Sequence, residues 1–137
     1  MTTLTILILI AGVLHFGILI ASALVPQVLD WRGELQRVSP MTRQLVWTHG
    51  AFIVITIIGF GLLALTNAAS LASGDALARA VCGFIAIFWA ARCALQFVLF
   101  DPTPLLTKWW LKVGYHSLTL VFAYFAAVFG WAALRSA

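Results

Sequence analysis

Four side chains able to ligate, hydrogen-bond or carry charge interrupt otherwise apolar runs. They are His15, His49, Arg92 and His116, and Gln96 follows Arg92 by one helical turn. Ionisable groups at membrane depth are costly, tend to turn toward a bundle interior, and point to function by default. Imidazole ligates haem iron, copper and zinc. It also titrates near neutrality and can relay protons. Guanidinium pairs with anionic oxygens such as haem propionates, and both groups hydrogen-bond quinone carbonyls. The set points first to a small membrane redox module that holds haem b or a quinone in a helical bundle. His15 and His116 are the expected axial ligands, with His49 as substitute or proton relay. Arg92 is expected to meet propionates or a quinone oxygen, with Gln96 supporting it. Other electron-transfer subunits are the expected partners.

The same residues allow other chemistries. Arg92 and the histidines would serve a transporter or channel for a small or anionic solute, which at this size would dimerise to enclose a pathway. His15, His49 and His116 would hold one Zn or Cu ion as a three-His metal site. An accessory subunit would use the same polar groups only to fix helix packing. Whether the chain is an enzyme stays open at this level.

Missing residue types narrow the field. No Asp or Glu lies within an apolar run: Asp30, Glu34, Asp75 and Asp101 sit at ends or between runs. Hard cations such as Mg²⁺ and Ca²⁺ require carboxylates. No single run carries the paired His or Glu-x-x-His spacing of helical metal sites. There is no C-x-x-C for thiol redox chemistry, no nucleotide-binding glycine loop, and no serine with an acid-oriented base.

These groups need elements to position them, and composition names the class. Of 137 residues, 64% are hydrophobic and 9% charged. An ordinary soluble domain is about 45–50% apolar and about 25% charged. So few charges cannot cover a water-facing globule, which excludes a soluble monomer, a disordered chain and a disulfide-framed miniprotein. Cys82 and Cys93 fall in one run, and eleven helical residues would hold them about 16 Å apart, too far to bridge. A spanning helix needs about 20 apolar residues. Stretches 4–26, 45–66, 78–100 and 109–134 qualify, giving a single all-α integral membrane domain, a four-transmembrane-helix bundle. The first stretch lacks a basic leader and exceeds the usual length of a signal-peptide core, so it reads as an uncleaved helix.

Four spans return both termini to one side, here side A. Side B carries Arg32, Arg37, Arg43, Lys108 and Lys112, whereas side A carries Arg79 and Arg135. The positive-inside rule then predicts an N-out/C-out topology with the 26–44 and 101–108 loops cytoplasmic. The expected setting is the bacterial inner membrane. The basic excess is thereby an orientation signal and no sign of nucleic-acid binding. Ser39 or Thr42 is expected to cap the second helix, with Pro40 near its start. Ser73-Gly74-Asp75 reads as a turn in a small polar connection, and Asp101-Pro102-Thr103-Pro104 as a sharp stop. At about 1.5 Å per helical residue, His15 lies about 16 Å from side B, Arg92 and His116 about 12 Å, His49 about 7 Å and Gln96 about 6 Å. All five occupy the B half or the middle. Trp89, Arg92 and Gln96 share one helix face, as do Gly12, His15, Leu19 and Ser22. Gly12 and Gly59 are expected to allow close helix approach or room for a flat ligand.

Overall fold

A computed structural model of the chain describes residues 2–99 and 107–135. Helix α1 spans Thr3–Val28 and is capped by Thr2, whose side-chain oxygen accepts from the Thr5 amide at 3.2 Å. It runs through Pro26, two residues past the expected end. Proline there removes one backbone bond in the last turn and leaves the rest of the helix intact. Helix α2, Trp31–Glu34, and a 3-10 turn, Leu35–Arg37, occupy the connection between the first two spans. Helix α3 spans Pro40–Thr66. Ser39 caps it by accepting from the Thr42 amide at 3.2 Å, and Pro40 fills the first helical position, where a missing N–H costs nothing. Helix α4 is a single turn, Ala68–Leu71; helices α5 and α6 span Ala76–Val98 and Trp109–Leu134.

Helices α1, α3, α5 and α6 are each long and apolar enough to cross a membrane. The chain is an all-α, four-helix membrane bundle, and no strand occurs among the described residues. The expected stop at Asp101–Pro104 lies outside the described residues.

The helices pack most extensively as two pairs, α1 with α3 and α5 with α6, and α1 against α6 joins the pairs. Around the bundle the order is therefore α3, α1, α6, α5. Glycine lets α1 and α3 approach: a Cβ on Gly61 would sit 2.8 Å from the Phe16 ring and 3.2 Å from the His15 Cβ. The core is aliphatic toward the A end (Leu4, Ile8, Ile85) and aromatic in the middle (Trp89, Phe125, Phe129).

The two halves of the bundle differ. At the A end the connection expected to be small and polar is instead a packed closure. Ala68, Leu71 and Ala72 form a buried apolar stripe against α1 and α5. Arg79 Nε donates to the Ala133 carbonyl at 2.9 Å, and Tyr124 donates to the Leu7 carbonyl at 2.8 Å. In the B half, α3 has no buried residue before Ile57, and α6 has none before Phe122. Between α3 and α5 the ring contacts are Phe60 with Phe84 and Phe88. Toward side B no ring contact joins α3 and α5 among the described residues, and the two helices do not pack extensively on one another.

Candidate functional site

The B half holds a cleft of about 120 Å³ to which all four long helices contribute. Ile18, Ala21, Ser22 and Val25 of α1 form one wall, and Ile53 and Ile57 of α3 another. Trp89 and Arg92 of α5 and Phe122 of α6 complete it. Arg92 is the one charged side chain among these described lining residues. Ser22 also lines the cleft, and its hydroxyl is a group that can both donate and accept. Pro26 stands four residues after Ser22 and cannot donate to its carbonyl, so helical bonding does not claim that acceptor.

Among the described contacts of Arg92, two orient its guanidinium. One NH group donates to Gln96 Oε1 at 3.0 Å, the i,i+4 contact expected from spacing. The guanidinium lies over the Phe122 ring, 5.1 Å from its centroid. That position combines cation–π attraction with burial of the alkyl stem. Gln96 is itself fixed. Its Nε2 donates to Thr119 Oγ1 at 3.0 Å, and Thr119 donates onward to the Tyr115 carbonyl at 3.2 Å. The Tyr115 hydroxyl returns to the Gln96 carbonyl at 2.9 Å. Because Thr119 accepts from the amide nitrogen, Gln96 must present its oxygen to Arg92. The network orients the guanidinium and locks α5 to α6 where the bundle is otherwise loose.

His15 lies behind the cleft and is fully buried. Its Nδ1 donates to the Ala11 carbonyl at 2.7 Å, and its Nε2 accepts from Trp89 Nε1 at 3.0 Å. The carbonyl can only accept and the indole can only donate. The ring is therefore the neutral tautomer with its proton on Nδ1. Phe125 stacks on it at 4.0 Å, with Phe60 and Phe129 edge-on. His15 thus fixes Trp89, whose ring lines the cleft and stacks on Phe122 at 5.2 Å.

The other two histidines stand apart. His49 is exposed and donates from Nδ1 to the Leu45 carbonyl of its own helix. His116 is exposed beside the Tyr115 ring. His15 meets α6 at Phe125, nine residues beyond His116, or about 13 Å at the helical rise. It meets α3 at Phe60, eleven residues beyond His49, or about 16 Å. The expected depth difference of about 4 Å between His15 and His116 is thus too small, because it assumed flush helix ends and the helices are staggered. Two nitrogens on one metal at about 2.0–2.1 Å each must lie within about 4 Å of one another. The structure brings Arg92, Gln96 and the His15–Trp89 pair to one region and leaves His49 and His116 outside it. Among the described residues no group of three His, Cys, Asp or Glu is placed to hold a metal ion.

Trp89 and Ser22 were legible as companions of Arg92 and His15 on shared helix faces. Thr119 and the Pro26-released carbonyl were not singled out, although a hydroxyl in an apolar run and a proline in a last turn are both visible signals. No protein-family model, curated protein or solved structure matches the chain.

Proposed function

We propose that the chain is a small membrane redox module that holds a quinone headgroup in the Arg92 cleft and works beside other electron-transfer subunits. The observation that carries this reading is an apolar cleft whose lining holds both a donor oriented by Gln96, Arg92, and a hydroxyl that can accept, Ser22. Arg92 would donate to a ring oxygen. Ser22, through hydroxyl and carbonyl, would accept from the ring hydroxyl of the reduced form. Trp89 and Phe122 offer aromatic faces to a flat ring. Size supports the same choice: an apolar cavity of about 150 Å³ accepts benzene, and the cleft is of that scale. A quinone supplies two-electron, two-proton chemistry when bound; the protein's part is to seat and orient it.

Haem b fits less well. His15 uses both ring nitrogens within the core, His116 is distant along α6, and the cleft takes one ring and no macrocycle.

The test is an absorption spectrum and organic extract of the purified protein, followed by titration with a decyl-benzoquinone. The expected result is quinone in the extract, no Soret band, and saturable binding lost in Arg92→Leu. A Soret band would move the reading to haem, and bound metal without haem to the three-His site. Failure of the wild-type protein to bind quinone sinks the proposal. Uptake of a small anion into vesicles in its place would favour the transport reading, which draws on the same single positive charge.

A further inference from the structure

Resting on the quinone reading of the cleft, we infer that the ligand is a long-tailed amphiphile. It loads sideways from the bilayer, its chain leaving the cleft through the gap between α3 and α5. Three observations carry this. First, the cleft, at about 120 Å³, is on the scale of a single ring, so a long chain on that ring extends beyond it. Second, the bundle is unclosed between α3 and α5, since α3 packs extensively on α1 alone among the long helices. Among the described residues the ring contacts across that seam are those of Phe60 with Phe84 and Phe88, and the cleft lies on their side-B side. Third, the lining is apolar and incompletely covered: Ile53 of α3 is 50% exposed and Val25 of α1 37% exposed while both line the cleft.

The polarity of the lining sets the orientation of the guest. Arg92 and Ser22 take the polar ring oxygens, and of the lining residues Ile53 and Ile57 of α3 and Phe88 of α5 belong to the two helices that flank the exit. Lipid tails are as apolar as leucine, so a chain gains nothing from being enclosed by protein and loses nothing by staying in lipid. A site that seats only the head and leaves its side open to the bilayer suits such a ligand. A water-borne solute would instead call for a polar lining, and among the described lining residues only Ser22, Trp89 and Arg92 carry polar groups.

The experiment uses the wild-type protein in vesicles and a decyl-benzoquinone carrying a diazirine on a methylene next to the ring. After photolysis the adducts are mapped by mass spectrometry. The expected adducts fall on Ile53 and Val25. They are suppressed by excess unmodified decyl-benzoquinone and lost in Arg92→Leu. Adducts on Val98 and Leu120, which are 85% and 73% exposed and outside the cleft lining, should resist that competition. Ile53→Trp should plug the gap and remove the competable adducts on Val25, whereas Ile53→Ala, which opens it, should retain them. If saturable quinone binding persists but competable adducts appear only on loop residues or not on the rim, the sideways route is overturned and the cleft reading stands. If no quinone binds, both fall.

Discussion

At the residue scale, the buried histidine acts through what it holds. Trp89 is 2% exposed and its N–H has His15 Nε2 as acceptor. Removing the acceptor without adding water strands a buried donor, at a cost of about 1–3 kcal/mol. We expect His15→Leu to lower unfolding stability in detergent by that amount and to change the emission of Trp89. Trp89→Phe removes donor and need together, so His15→Leu should cost less in a Trp89→Phe background. Additive losses in the double variant would show that the contact contributes nothing beyond volume. The Arg92 network yields a second expectation. Thr119→Val deletes the acceptor that fixes the Gln96 amide, freeing it to turn its nitrogen toward Arg92. Quinone affinity should fall while the bundle stays folded, and Thr119→Ser should restore it. Equal affinity in Thr119→Val and wild type would remove Gln96 from the orientation of Arg92.

At the element scale, close approach separates two glycines of α3 that look alike in sequence. A Cβ at Gly61 meets Phe16 and His15, whereas one at Gly59 meets nothing within 4 Å. Overpacking a filled contact costs about 1–3 kcal/mol, and alanine in an open helical site gains up to about 1 kcal/mol over glycine. Gly61→Ala should therefore lower the midpoint of thermal unfolding, and Gly59→Ala should leave it unchanged or raise it. The reverse order would contradict the α1–α3 packing. The sequence singled out Gly59 and passed over Gly61, because a helix apolar all round gives no periodicity to say which face is inward. Span number, the Ser39–Pro40 start and the end of α3 at Thr66 were legible, since length, hydropathy and caps are local properties. The burial of α4 was not. Ala68, Leu71 and Ala72 carry a short apolar stripe whose meaning depends on α1 and α5 standing beside it.

At the scale of the whole molecule, the described residues tie the bundle at its A end and pack more openly toward its B end, and the candidate site lies at the transition. The sequence located Arg92, Gln96 and His15 in the same half of the membrane, and the structure brings them to one region. It did not foresee the stagger that separates His116 and His49 from His15, because depth counted along each span ignores how helices slide past one another. Orientation is the property that joins this architecture to its surroundings. Arg32, Arg37, Arg43, Lys108 and Lys112 all sit at the open end, against Arg79 and Arg135 at the tied end. Basic residues in short loops are retained on the cytoplasmic side, so the cleft is expected to lie in the cytoplasmic half of the bilayer. Ser39 is an exposed cap on the 26–44 connection. In a background with Cys82→Ala and Cys93→Ala, Ser39→Cys should resist an impermeant thiol reagent added to intact cells and react once the membrane is opened. Ser73→Cys, at the tied end, should react from outside. If Ser39→Cys is labelled in intact cells and Ser73→Cys is protected, the bundle is inverted, and a quinone seated in the cleft would exchange protons with the outer face.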